Sequence, residues 1–280
     1  MTFLSNKCIG CDGSNLCAIN NRTICNDCGL QFDIQEKGLN YSQTYSEAES
    51  LYADHFQSID HYQTLPIQQL HASLLPFESR LSDFIGQHAS YASLVDLGCG
   101  IGRFLRAGED LLQNARGYEM AEILVGRLKQ HGRKISLGGI KEFIQGPERP
   151  DVVTLLEVIE HLREPGQSIR EILEVKSPKA LAVVVPNSAV RRKYDRLFAQ
   201  HDEPPNHLSW WNSQSLIAAL SFPGYEIQVE SIPEKRKELF RYLHRDRGLG
   251  GTSLSWFCWI KAFLNPPHFW LLAIAKKHEK

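Results

Sequence analysis

Residues Leu94 to Phe104 read Leu-Val-Asp-Leu-Gly-Cys-Gly-Ile-Gly-Arg-Phe, and no other stretch of the chain restricts its possible folds as much. An apolar strand ends in Asp96 and runs into Gly98, Gly100 and Gly102. Glycines at alternate positions permit a tight turn and bring main-chain amides close to a ligand at the N-terminus of the helix that follows. The dinucleotide fingerprint of dehydrogenases puts its third glycine one residue later, where this chain has Arg103. A nucleotide stays open as the ligand of such a turn.

Further strands extend the pattern. A short one around Arg116 to Tyr118 ends in Glu119, near the roughly 20 residues that separate a glycine turn from a ribose-binding carboxylate. A solvated glutamate at a helix start is the alternative. A third strand, Lys134 to Leu137, is weakly marked. The fourth, Asp151 to Leu156, is continuous Val/Thr/Leu and reads as buried on both faces. The fifth, Ala180 to Val185, closes on Pro186-Asn187, and Tyr225 to Ile232 and His268 to Ala275 supply a sixth and a seventh. Strands alternating with helical segments imply a parallel, doubly wound α/β sheet. With Asp96, the three glycines and Glu119 so placed, the chain resembles class I S-adenosylmethionine-dependent methyltransferases. The resemblance implies a Rossmann-like, seven-stranded sheet. It also implies S-adenosyl-L-methionine held at Asp96, Gly98, Cys99, Gly100, Gly102, Glu119, Met120 and Glu157.

Four of the seven cysteines form a second pattern. Cys8-Ile9-Gly10-Cys11 and Cys25-Asn26-Asp27-Cys28 are two CxxC knuckles that can present four thiolates tetrahedrally, the signature of a structural zinc ribbon. Such a metal folds a segment too short to build its own core. Cys17, Cys99 and Cys258 have no partner in the pattern and read as packing residues. A zinc site rather than two disulfides fits a reducing compartment. No segment reaches the roughly 18 apolar residues of a membrane span and Met1 to Lys7 lacks a signal-peptide core, so a cytoplasmic location is expected. A formal net charge of -1, with 22% charged residues, gives no global field for nucleic acid. The expected organisation is a ribbon over 1–38, a helical lid or linker over 39–88, a catalytic core over 89–232, and a helical insertion with the last strand over 233–280. Tyr41, Tyr45, Tyr52, Phe56 and Tyr62 of the lid either pack onto the sheet or cover the cofactor.

After the fourth strand come Glu157, Glu160 and His161. If a helix begins at Glu157, the residues three and four positions on share its face. Two carboxylates and an imidazole around one cavity suit a divalent cation with open positions, Mg, Mn or Zn by ligand type. Downstream lies His201-Asp202-Glu203-Pro204-Pro205-Asn206-His207, whose prolines hold His207 extended near the C-terminal sheet edge. Glu157, Glu160 and His161, the Val-Pro-Asn after strand five, and Asn206-His207 together are similar to the small-RNA 3′-terminal 2′-O-methyltransferases. That resemblance implies a metal that grips vicinal hydroxyls. The Glu157, Glu160 and His161 part alone resembles the O-methyltransferases of ubiquinone biosynthesis. Ribbon plus domain resembles a broad group of bacterial methyltransferases that modify sugars and natural products. Glu160, His161 and His207 can be metal ligands, a metal-free histidine base at His161 or His207, or a structural cap beneath the cofactor.

The expected activity is O-methylation of a small hydroxylated acceptor such as a sugar, glycan precursor or natural product. The basic run Lys235, Arg236, Lys237, Arg241, Arg245 and Arg247, followed by aromatics from Trp256 to Phe263, suggests two further partners: RNA, or an anionic membrane surface touched by 233–267. A helical wall for the substrate pocket is the simpler account of the same residues. A non-catalytic cofactor-binding module is the reading from outside enzymology.

Overall fold

The computed structural model describes residues 6–19, 22–33, 49–194, 202–204, 206–235 and 266–278. It begins with three short antiparallel strands, β1 (Leu16–Ile19), β2 (Arg22–Cys25) and β3 (Gln31–Phe32). A larger sheet follows, with β4 (Ser93–Leu97), β5 (Asn114–Glu119), β6 (Ile135–Leu137), β7 (Val152–Leu156) and β8 (Ala180–Pro186). The strand β9 (Ser209–Trp210) joins the first group, while β10 (Tyr225–Ile232) and β11 (Trp270–Lys277) complete the second. The large sheet is seven-stranded in the order β10-β11-β8-β7-β4-β5-β6, with β11 antiparallel to both of its neighbours and the remaining pairs parallel.

The composition of each strand follows from its place. All of β8 is buried, which a run of Ala, Leu and Val satisfies because both faces are covered. The edge strand β6 is only three residues long, hence its weak signal. Alternate side chains sort to opposite faces: Leu94, Val152 and Val184 to one core, and Val95, Val153 and Val183 to the other. Helices α1 (Glu49–Thr64), α2 (Pro76–Gly86), α3 (Arg103–Leu111) and α4 (Glu122–Gln130) cover the first face. The second takes α5 (Ile140–Gln145), α6 (Pro165–Glu171) and α7 (Ser213–Leu220), and with them Cys8, Cys25, Cys28, Leu30 and Phe32 of the N-terminal unit. One apolar core therefore spans the cysteine unit and the sheet.

Two local expectations shift. β11 starts at Trp270 rather than His268, because the carbonyls of His268 and Phe269 accept hydrogen bonds from the side chain and the backbone amide of Asn187 (3.0 and 2.8 Å). The stretch after β7 forms a single 3-10 turn, Ile159–His161, instead of an α-helix, and Glu157 precedes it in the left-handed region with φ 55°. Tyr41, Tyr45, the side chains of Tyr52 and Phe56, His201, Pro205 and the segment 236–265 with its basic and aromatic residues lie outside the described residues. Among the described residues no helix is long and apolar enough to cross a membrane.

Candidate active site

Strand order reverses at β4, whose neighbours are β5 on one side and β7 on the other, so a crevice opens beyond its C-terminal end. Asp96 lies beneath it, 2% exposed, accepting a hydrogen bond from the Thr154 hydroxyl at 2.6 Å. Burial pushes the Asp96 carboxyl up to about 7; the Thr154 bond opposes this, and the charges of Glu78 and Glu119 add to it. Gly98, with φ 72°, leaves no room for a side chain, since a Cβ there would lie 2.7 Å from Val158 Cγ2. The Glu119 carboxylate pins the turn to the end of β5 by accepting from the amides of Gly100 (2.9 Å), Met120 (2.8 Å) and Ala121 (3.0 Å). Cys99 is buried, and burial together with Asp96 and Glu119 holds its thiol well above the ordinary range, which removes it as a nucleophile. Met120 and Leu137, 48% and 49% exposed, sit just past the end of β5 and at the end of β6, an apolar rim beside the crevice.

Helix α1 closes over this turn. Gln63 Nε2 donates to the carbonyls of Ile101 and Gly102, each at 3.1 Å, while its Oε1 is buried with no hydrogen-bond partner. Arg103 pairs with Glu78 through two bonds of 2.8 and 3.0 Å and lies over the Tyr62 ring at 5.1 Å. Arg103 thus ties α1 and α2 to the glycine turn. Gln63 and Glu78 carry no motif, and their roles are visible only once the helices are in place.

Beside the crevice, the ligand atoms of Glu160, His161 and His207 all lie within 4.8 Å of one another. Glu160 is 1% exposed and neither carboxylate oxygen has a hydrogen-bond partner. Burial, reinforced by Glu157, raises its pKa well above the carboxylate range. His161 Nδ1 lies 2.7 Å from the carbonyl of Asn206, which can only accept, so this nitrogen carries a proton. Burial lowers the His161 pKa, against the raising effects of the Asn206 bond and of Glu157. The His161 and His207 rings meet edge to face, 4.8 Å between centroids, and His207 Nδ1 is 3.7 Å from Asp202 Oδ1, which also pairs with Arg191 at 3.1 Å. Glu157 is outside this group: its Oε1 accepts from Trp270 Nε1 at 3.1 Å.

The sulfurs of Cys8, Cys11, Cys25 and Cys28 also lie within 4.8 Å of one another, with Cys8–Cys28 and Cys11–Cys25 both at 3.7 Å. A tetrahedron with metal–sulfur bonds of about 2.3 Å has edges near 3.8 Å, whereas a disulfide needs roughly 2.05 Å. The group can hold zinc. A shared hydrogen bond lowers Cys8 to about 5 and raises Cys28, while burial raises Cys11 to about 11.

The family model described as a methyltransferase domain matches residues 60–229, which include both the glycine crevice and the Glu160–His207 cluster. The chain belongs to this methyltransferase family. Among solved structures, this methyltransferase is similar to the small RNA methyltransferase HEN1 (21% identity, TM-score 0.52, 72% of this chain and 25% of that one). It is also similar to a SAM dependent methyltransferase from Archaeoglobus fulgidus (17%, 0.50, 72% and 93%). A third likeness is to the plantazolicin methyltransferase BamL, solved with a triazolic desmethylPZN analog and SAH (14%, 0.51, 85% and 94%). The chain spans only a quarter of the length of HEN1, and at these identities the likeness establishes the shared fold. No curated protein matches the chain by sequence.

Proposed function

We propose that this methyltransferase transfers the methyl group of S-adenosylmethionine to an oxygen of a small acceptor with adjacent hydroxyls, such as a sugar or glycan precursor, with a divalent cation at Glu160, His161 and His207. The observation that carries the cation is Glu160. Buried with both carboxyl oxygens unpartnered, Glu160 ionises at low cost only if a positive charge stands beside it, and two histidines flank it. The ring of His161 is oriented through Nδ1 by the Asn206 carbonyl, as an outer partner orients a metal-ligating histidine. Magnesium, manganese and zinc all accept this donor set.

The cofactor assignment rests on the crevice. The glycine turn, open at Gly100 where a Cβ would meet nothing within 4 Å, the acidic side chain at Glu119 and the rim of Met120 and Leu137 fit an adenosyl group. When bound, the sulfonium supplies an electrophilic methyl, and a divalent cation lowers the proton affinity of a hydroxyl facing it. The chain's own part is positioning: α1 excludes water through Gln63 and Tyr62, Glu119 sets the turn, and the Glu160 cluster fixes where the acceptor oxygen stands. The four cysteines are assigned a structural zinc, whose closed donor set leaves no position for chemistry.

Calorimetric titration of zinc-loaded protein with S-adenosylhomocysteine, then with Mn2+, tests this in wild type and in Glu160→Ala/His207→Ala. Product binding in both, with a Mn2+ heat in wild type alone, is expected. Product binding without any Mn2+ heat overturns the cation and leaves His161 or His207 as the base; no product binding overturns the whole reading.

A further inference from the structure

The strand that completes the cysteine unit is the continuation of the segment that carries His207. Leu208, peptide-bonded to His207, donates its amide to the Glu160 carbonyl at 2.8 Å, and its own carbonyl accepts from the Asp33 amide at 2.8 Å. One residue is thus hydrogen-bonded to the cation cluster on one side and to the cysteine unit on the other. Ser209 and Trp210 then pair with Phe32 and Gln31. A two-residue strand cannot hold its own register, so β9 is ordered by what it is docked upon. The partner β3 is equally short, and it follows directly on the Cys25–Cys28 turn, closed by bonds from Gly29 N to Cys25 O (2.8 Å) and from Cys25 N to Leu30 O (2.9 Å).

A side-chain path runs alongside this ladder. Arg22 of β2 stacks 3.6 Å over the Trp210 ring and forms an ion pair with Glu203. Trp210 Nε1 donates to the Asp202 carbonyl at 2.7 Å, and Asp202 is the acid beside His207. A single guanidinium from the cysteine unit therefore grips the His207 segment on both sides of the histidine. The unit itself is seated on α6 by close backbone contact: Gly166 donates to the Ile9 carbonyl at 2.9 Å, and a Cβ at Gly166 would collide with the Gly10 carbonyl.

We infer that the four-cysteine unit is a positioning element of the cation site, holding His207 against Glu160 and His161 through the β3–β9 ladder and through Arg22. The inference rests on the cation reading above and deepens it: zinc at one site sets the affinity of a second, chemically different cation at the other. Arg22 is a positioning residue and touches neither site.

The test uses the full-length zinc-loaded protein and three readouts: zinc content, S-adenosylhomocysteine affinity by calorimetry, and Mn2+ affinity by paramagnetic resonance titration. In Arg22→Ala, zinc and product affinity stay at wild-type values while Mn2+ affinity falls about tenfold, the scale of losing an outer partner of a metal ligand. Arg22→Lys does not restore it, because an ammonium cannot both stack on Trp210 and fork to Glu203. Gly166→Ala, which wedges the unit off α6 without changing a ligand, weakens Mn2+ binding in the same way; should that variant fail to fold, Arg22→Ala decides alone. Unchanged Mn2+ affinity in Arg22→Ala overturns the inference and leaves the cation site standing. No Mn2+ binding by wild type overturns the cation reading and the inference with it.

Discussion

The glycine crevice and the Glu160 cluster share one sheet edge and are built in opposite ways. The crevice draws mainly on residues 94–121, so neighbours in sequence are neighbours in space, and its turn is held by backbone amides that donate to the Glu119 carboxylate. The cluster joins residues more than 40 positions apart, 160–161 and 207, and depends on a strand from the N-terminal unit to bring them together. Local chain geometry can build such a turn by itself. A multidentate side-chain site needs elements fixed by long-range packing.

The sharpest way to break this contrast is Cys25→Ser. Cys25 is fully buried, and structural zinc binding is worth on the order of 10 kcal/mol, so the substitution should release the tightly held metal and unlock β1–β3. Hydrogen exchange at the amides of Cys25 and Asp33 should accelerate while β4, β7 and β8 stay protected. Zinc retained at the wild-type level would exclude Cys25 as a ligand and the ribbon with it.

Asp96 tests the crevice through pH. An unfolded aspartate releases its proton near pH 4, and folded Asp96 near 7, so between these values the folded state binds the extra proton. Stability falls as pH rises through that window, and the full cost is present above it, up to about 4 kcal/mol for a difference of about three pH units. Asp96→Asn removes the titration. Denaturant melts should show the variant gaining on wild type steadily from pH 5 to pH 8, with weaker S-adenosylhomocysteine binding throughout; a pH-independent difference would mean that Asp96 is not the buried acid described.

The smallest expected effect is at Gly100. A Cβ there meets nothing within 4 Å, yet φ is +52°, so Gly100→Ala should cost only about 1 kcal/mol of stability through backbone strain. Product affinity should drop by more than this if a ligand lies against the turn. Equal affinity would move the ligand away from Gly100 and narrow the crevice to Glu119 and Met120.

Much of the sheet was readable in advance. Its central strands are continuous apolar runs, and β10 and β11 were recognisable on either side of the basic and aromatic segment, of which 236–265 lies outside the described residues. The 3-10 turn after β7 was hidden, because Val158 to His161 has no breaker to forbid a helix; what turns the chain there is Glu157 in the left-handed region with its carboxylate on Trp270 of β11. Gln63, Glu78 and Arg22 were invisible for a related reason. Each is an ordinary polar residue whose role is conferred by a partner distant in sequence.

The sequence by itself determined the family of fold, the glycine turn with its acidic companion, and the two cysteine knuckles, since all of these depend on short spacing and backbone conformation. Only the tertiary structure decided that the cysteine unit shares a core with the sheet, that β9 belongs to it, and that the buried Glu160 carboxyl, its oxygens unpartnered, lies with His161 and His207 and apart from Glu157. Spacing along a chain specifies local geometry, whereas burial and juxtaposition are properties of the packed whole.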